Sequence, residues 1–159
     1  MANELRAKNI TKANFTCTLA SLANGSGRQT TLLDNSATDY PMAEVTLKIR
    51  LGGDPTAAGW INVFLIRGND PASSDYRSDA AGASDAAWTR ENAELVESIE
   101  VPSSKTTNDY VGKIFIVGSM DRPLGPEWGL GIDNRSGVAL HGTEGDHFKG
   151  YSYLVPELQ

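Results

Sequence analysis

Apolar and polar residues alternate without interruption along residues 45–51, and this alternation constrains the fold more than any other feature of the sequence. A period of two predicts a β-strand that has one face in the core and the other in water. Elsewhere helical periodicity is nearly absent, and short β-rich runs recur with Gly, Asn, Asp, Ser or Pro between them. This pattern is typical of an all-β sandwich or barrel.

Seven further segments have the composition of strands, which makes eight in total. They are residues 15–19, 29–33, 60–66, 95–101, 111–117, 128–132 and 148–155. The segment 60–66 is more continuously apolar, as expected for a strand that the sandwich or a partner chain covers on both faces. Residues 95–101 also fit helical spacing, but the alternation of Leu95, Ile99 and Val101 favours a strand.

Eight antiparallel strands in a chain of 159 residues predict a single jelly-roll-like β-sandwich over residues 15–159. An immunoglobulin-like sandwich is the alternative, but its inter-sheet bridge needs two cysteines, and Cys17 is the only one in the sequence. Because Cys17 has alternating apolar neighbours, we expect it to be a small buried side chain.

Two segments are predicted to lie outside the regular sandwich. Residues 1–14 are mostly polar and are expected to form a flexible N-terminal arm that becomes ordered on binding. Residues 68–92 have no strand pattern and are predicted to form a long acidic loop. The aspartates of this loop are Asp70, Asp75, Asp79 and Asp85. Their spacing lacks the closely alternating ligands of a calcium loop, so we interpret them as solvated.

Charge and hydropathy argue against nucleic-acid and membrane partners. With 20 acidic and 14 basic residues, the chain has a formal charge of −6, the wrong sign for a surface that neutralises phosphates. Its longest apolar runs, residues 63–66 and 114–117, are much shorter than the roughly 20 residues of a membrane-spanning helix. Residues 1–8 carry charges where a secretory signal has its apolar stretch, so we expect a soluble protein that is made and kept in a cytoplasm.

Residues 141–147 (HGTEGDH) are the one place in the sequence where side chains of metal-ligand type are close together. Two histidines and a carboxylate can form a metal triad, but the segment lacks the His-x-His spacing of metal-binding jelly rolls. We interpret it as a glycine-rich turn with solvated polar residues. The sequence also has no Gly-x-Ser-x-Gly motif and no phosphate-binding loop before a helix. We therefore predict that the protein is not an enzyme and has no catalytic residue, cofactor or metal.

The three tryptophans are candidates for contacts with sugars or partners. Trp60 and Trp128 each begin a strand and are expected to be anchors in the core or in an interface. Trp88 lies beside the acidic loop and, of the three, is the one expected to be exposed or to meet a partner. Trp88 and Trp60 are therefore the candidate contacts for a partner or a glycan.

Four segments carry a resemblance to a known family. They are residues 1–6 (MANELR), 19–29 (LASLANGSGRQ), 34–36 (DNS) and 128–137 (WGLGIDNRSG). On these segments the sequence resembles a family of small virion proteins of tailed bacteriophages, and the similarity spans most of the chain. The long acidic loop departs from the shorter connection expected in that family.

The resemblance implies a non-enzymatic structural protein, most similar to a capsid decoration (cement) protein that binds the major capsid protein on the outer surface of the virion and stabilises the head. In that case residues 1–14 would be the capsid-binding arm, with contacts from Leu5, Arg6, Lys8 and Ile10. Proteins of this type are often trimers, made in the host cytoplasm. A head or tail appendage protein and a carbohydrate-binding β-sandwich module are the alternatives.

Overall fold

The computed structural model describes the backbone of residues 5–68, 80–90 and 93–158 and the side chains of residues 12–68, 80–90 and 93–156. Within these ranges the chain forms ten β-strands and one short 3₁₀ helix, so the predicted all-β fold is confirmed with ten strands instead of eight. The elements are β1 (Leu5–Asn14), β2 (Gly27–Gln29), β3 (Leu33–Asp34), β4 (Met42–Arg50), β5 (Gly59–Gly68), β6 (Ala86–Trp88), β7 (Glu94–Val101), β8 (Tyr110–Gly118), β9 (Glu127–Arg135), η1 (Glu144–Asp146) and β10 (Phe148–Leu158).

The strands form two antiparallel sheets. The four-stranded sheet has the order β1-β10-β4-β8, and the six-stranded sheet has the order β6-β2-β9-β5-β7, with β3 also paired to β9. The pairs β1–β10, β2–β9, β4–β8 and β5–β7 are nested within one another along the chain. A long hairpin that is wound so that its strands alternate between two sheets is a jelly roll, so this prediction is confirmed.

The main core lies between the two sheets. Strand β4 contributes Val45, Leu47 and Ile49, all of them buried, as its alternation predicts. Strand β9 contributes Trp128, whose indole N–H donates to the hydroxyl of Tyr153 on β10 at 3.3 Å. The two sheets are thus joined by an aromatic cluster as well as by aliphatic packing.

A second apolar cluster covers the outer face of the six-stranded sheet. Leu32, Phe64, Ile66 and Trp88 form it, and the rings of Phe64 and Trp88 lie 5.3 Å apart. Strand β5 is therefore covered on both faces at Phe64 and Ile66, as predicted from its continuous apolar run, whereas Trp60 at its start is exposed.

Residues 15–19 alternate between buried and exposed positions, as predicted, but they do not join a β-ladder as a strand. The N–H of Phe15 donates to the carbonyl of Lys149 at 2.8 Å. The N–H groups of Leu19 and Ala20 donate to the carboxylate of Glu144 at 2.7 and 2.8 Å. A side chain distant in sequence thus takes the place of a neighbouring strand.

The predicted N-terminal arm is a paired strand in the part that the structure describes. Strand β1 pairs with β10 from Leu5 opposite Leu158 to Asn14 opposite Gly150. Backbone groups make this ladder whatever the side chains are, so the polar composition of the segment did not indicate it. Residues 1–4 lie outside the described residues.

The C-terminal part of the predicted loop, residues 80–88, lies against β2 and contains β6. The buried side chain of Gln29 donates to the carbonyls of Gly82 and Ser84 at 2.7 and 2.8 Å and accepts from the N–H of Ala81 at 2.7 Å. The sequence did not predict β6, because a three-residue strand is defined by its partner β2 and not by its own composition.

Candidate functional site

Four exposed apolar side chains lie along one edge of the sandwich. Each of Leu95, Ile114, Ile116 and Met120 is more than half exposed. Ile114 and Ile116 point outward from β8, Leu95 points outward from β7, and Met120 lies in the turn after β8. We call this group the edge patch. Exposed apolar groups of this kind commonly mark surfaces that bind other proteins.

The edge patch forms where the last strands of the two sheets come together. Strand β8 ends the four-stranded sheet and β7 ends the six-stranded sheet. The ammonium group of Lys113 on β8 lies 2.9 Å from the carboxylate of Glu97 on β7. Beside this ion pair, Leu95 and Ile116 face the same groove of about 260 Å³.

Charged side chains at one end of the groove hold each other in place. Glu94 accepts from the guanidinium of Arg67 at 2.5 Å and lies 3.3 Å from that of Arg122. Arg122 also closes the turn that carries Met120, since its carbonyl accepts from the N–H of Ser119 at 3.0 Å. The apolar edge patch therefore has a rim with two cations and one carboxylate.

The two longest apolar runs of the sequence, residues 63–66 and 114–117, lie in different environments in the fold. On β5, Phe64 and Ile66 face outward but are covered by Trp88 and Leu32. On β8, Ile114 and Ile116 face outward and no part of the described chain covers them. An uninterrupted apolar run is typical of a strand covered on both faces, and β8 has only one face covered by the residues that the structure describes.

The predicted arm contacts lie on β1. Leu5 is opposite Leu158, Arg6 opposite Glu157, Lys8 opposite Val155 and Ile10 opposite Tyr153. The side chains of these four residues lie outside the described part of the chain. Their backbones place them on the edge strand β1, at the other end of the four-stranded sheet from the edge patch.

The predictions for the three tryptophans have different outcomes. Trp88 is only 4% exposed, so the prediction that it is exposed is wrong. It packs on Phe64 and lies over Gly131, where the missing side chain leaves room for the indole ring. Trp128 is buried in the core, as predicted, whereas Trp60 is 47% exposed on the outer face of β5. Of the two candidate glycan contacts, Trp60 alone is available to a ligand.

Residues 141–147 form a network of internal contacts. Asp146 lies 2.8 Å from Nδ1 of His141 and 2.6 Å from the guanidinium of Arg50. Nδ1 of His147 accepts from the N–H of Arg50 at 3.3 Å, and its Nε2 lies 3.0 Å from the carbonyl of His141. Burial lowers the pKa of His147. The two histidines and Asp146 of this turn are thus paired with protein groups and are not solvated as predicted.

Glu144, in the same turn, holds residues 19–20, which follow β1, in place through hydrogen bonds. Its carboxylate accepts from the ammonium group of Lys149 and from two backbone N–H groups. Burial alone would raise the pKa of Glu144, but these hydrogen bonds and the charge of Lys149 outweigh it and lower the pKa. We call this set of contacts, made by the Glu144 carboxylate with Lys149 and the N–H groups of Leu19 and Ala20, the Glu144 clasp.

The remaining predicted positions contribute no reactive group in the described chain. Cys17 is buried, as predicted, and burial together with the nearby charge of Asp85 raises the pKa of its thiol to about 12. Asp85 binds Arg28 at 2.6 Å instead of being solvated. Asp70, Asp75 and Asp79 lie outside the described residues.

Two general features of the described ranges concern metal binding and membrane spans. No three His, Cys, Asp or Glu side chains are grouped there in a way that could hold a metal ion. No helix in those ranges has the length and apolar character needed to cross a membrane.

Comparison with known proteins finds little similarity. No protein-family model matches the chain, and no curated protein matches it. Among solved structures, the chain is similar to the crystal structure of murine APRIL at pH 8.0, with 7% sequence identity and a TM-score of 0.42, over 94% of this chain and 99% of that chain. The strand pairing described above, and not this similarity, defines the jelly roll.

Proposed function

We propose that this chain is a non-enzymatic structural protein of a bacteriophage virion, which attaches to the outer surface of the capsid and stabilises the head. The edge patch is the observation that carries the proposal. A protein that attaches to a larger assembly needs a surface whose burial lowers the free energy of the complex. Exposed apolar side chains on a rigid strand provide such a surface. The resemblance of residues 19–29 and 128–137 to small virion proteins supplies the class of partner.

The partner in this proposal is the major capsid protein. Capsid contact at the edge patch would cover Ile114 and Ile116, whose exposure on an edge strand otherwise favours aggregation. Strand β1 is the other end of the four-stranded sheet, and within the described part of the chain its outer edge pairs with no further strand, so we propose that a neighbouring copy binds there. A closed trimer would cover that edge, so we include a trimer in the proposal.

The test is co-sedimentation of the purified protein with mature capsids that lack it. Wild-type protein is expected to sediment with the capsids and to raise their resistance to heat. The double variant Ile114→Thr with Ile116→Thr keeps β-branched side chains on β8 but removes much of the apolar surface, so it is expected to bind far more weakly. Trp60→Ala, which removes an exposed aromatic side chain from the opposite sheet, is the matched control and is expected to bind like wild type.

Absence of wild-type protein from the capsid pellet would contradict the proposal. Equal binding by wild type and the double variant would show that the edge patch is not the attachment surface. The role of the predicted arm is tested separately with Arg6→Ala and Lys8→Ala, because deletion of residues 1–14 would also remove a strand from the sheet.

The carbohydrate-binding alternative has one candidate tryptophan instead of the two that the sequence suggested. Trp88 cannot stack on a sugar, because it is buried. Trp60 remains exposed on β5, with Glu100 and Arg135 opposite it on the neighbouring strands. As a second proposal, Trp60 is a glycan contact, and loss of glycan binding in Trp60→Ala would support it.

A further inference from the structure

The outer face of the four-stranded sheet contains a groove that the proposed capsid attachment does not use. It has a volume of about 280 Å³, close to the lower end of the roughly 300–1,000 Å³ usual for small-molecule sites. Its walls come from β1, β4 and β10, and it includes no residue of the edge patch.

The floor of the groove is a glycine. Gly150 lies between Asn14 on β1 and Thr46 on β4 in one row across the sheet. The next row on one side carries Lys12 and Glu44, and Phe148 lies two residues before Gly150 on β10. Because Gly150 has no side chain, the ring of Phe148 can occupy part of the space above it.

An aromatic ring lies at one end of this floor. A Cβ atom at Gly150 would be 2.8 Å from Cζ of Phe148, so the ring leans over the glycine. The side chain of Phe148 is nevertheless 49% exposed. An exposed ring above a concave surface is a platform on which the C–H face of a sugar ring can pack.

The polar side chains of the groove are available for ligand hydrogen bonds. In the part of the chain that the structure describes, the side chains of Lys12, Asn14, Glu44 and Thr46 form no hydrogen bond or ion pair with other protein groups. They offer an ammonium group, an amide, a carboxylate and a hydroxyl. The hydroxyls of a sugar both donate and accept, so a saccharide can form hydrogen bonds with donors and acceptors of this kind alike.

Charge and backbone pairing narrow the class of ligand further. The charges of Lys12 and Glu44 balance, which favours a neutral ligand. The backbone of β10 is paired on both sides by β1 and β4, so a peptide could not add to the sheet at this place. We propose that the groove formed by Phe148, Gly150 and the polar side chains of β1 and β4 binds a neutral saccharide.

The test uses the full chain on an array of neutral oligosaccharides built from glucose, galactose, mannose and N-acetylglucosamine, with acidic glycans included for comparison. Wild-type protein is expected to bind at least one neutral oligosaccharide. Phe148→Ala removes the platform and is expected to bind it at least roughly tenfold more weakly. Gly150→Ala is expected to weaken binding as well, because the added methyl group displaces the ring.

Tyr110→Ala is the matched control, since it removes an exposed aromatic side chain of β8 that lies outside the groove, and it is expected to bind like wild type. Trp60→Ala is measured beside it as the variant of the alternative glycan contact. Glu44→Gln keeps the shape of the groove and gives an independent comparison if either substitution on β10 unfolds the protein, which thermal denaturation will show. The inference is overturned if no neutral glycan binds or if acidic glycans alone bind. It is also overturned if the groove variants bind like wild type or if Trp60→Ala alone loses binding. None of these results depends on attachment to capsids.

Discussion

The indole ring of Trp88 rests on the backbone of Gly131: a Cβ atom at Gly131 would lie 2.7 Å from both Cη2 and Cζ2 of the ring. Gly27, on the neighbouring strand β2, meets the same tryptophan, with a Cβ position 3.0 Å from Cε3. Two glycines on adjacent strands therefore make room for one large side chain. This contact buries Trp88 and attaches β6 to the six-stranded sheet.

Gly131→Ala is expected to destabilise the protein by roughly 1–3 kcal/mol, because the added methyl group overpacks a close contact. Thermal denaturation measures the effect as a lower Tm. Gly145→Ala is the control, since a Cβ atom at Gly145 would meet nothing within 4 Å. A Tm of Gly131→Ala equal to that of wild type would show that Trp88 can move away at no cost.

Glu144→Gln is expected to reduce the free energy of unfolding by roughly 1.5–3 kcal/mol, as for hydrogen bonds to a charged group. The substitution leaves Lys149, whose side chain is buried, without its countercharge. Urea denaturation at neutral pH measures the change, and Glu100→Gln on the exposed face of β7 is the control. Equal losses in the two variants would argue against the Glu144 clasp.

The pKa of Glu144 adds a pH dependence to the same clasp. Because the pKa is lower in the folded protein, the stabilisation is present above the ordinary value of 4.5 and is lost as the pH falls through the folded pKa. The stability difference between wild type and Glu144→Gln should therefore shrink in acid. A difference that stays constant from neutral pH to pH 3 would contradict this assignment.

His147 is expected to make the protein less stable as the pH falls below about 6.5, its ordinary pKa. Burial lowers the pKa in the folded state, so the unfolded chain takes up a proton first and stability declines until the folded pKa is reached. Protonation of Nδ1 would also remove the acceptor for the N–H of Arg50. The Tm of wild type and His147→Gln should be compared between pH 8 and pH 5, and equal slopes would contradict this prediction.

Cys17 is expected to be unreactive in the folded protein. Its thiol is buried and has a pKa of about 12, so almost none of the reactive thiolate is present at pH 8. A chromogenic disulfide reagent should label the native protein slowly and the denatured protein with one equivalent. Rapid labelling of native protein would show that residues 15–19 detach from the sandwich.

Much of the fold can be predicted from the sequence, because strand periodicity is a local property. The alternation in β4, the covered run of β5 and the strand at β7 are all visible as short-range patterns. Prediction from local sequence patterns is less reliable where backbone pairing alone defines a strand. Strand β1 has a polar composition, and β6 has only three residues, so neither pattern indicated a strand.

The candidate surfaces could be predicted only in part. The apolar run of β8 was visible in the sequence, but its position at the end of a sheet, which leaves Ile114 and Ile116 exposed, depends on topology. Trp88 has acidic neighbours in the sequence, whereas Phe64 and Gly131, which bury it, are distant from it along the chain. The groove above Gly150 likewise requires the register of three strands.

The sequence by itself determined that the chain is an all-β sandwich, with most of its strands and the buried state of Cys17 and Trp128, because period-two burial is encoded within a few consecutive residues. Only the tertiary structure decided which strands lie at the edges of the sheets and which glycines pack against an aromatic ring. It also decided which apolar side chains stay exposed. Those properties depend on pairing between residues far apart in the chain, and a one-dimensional pattern contains no information about strand order.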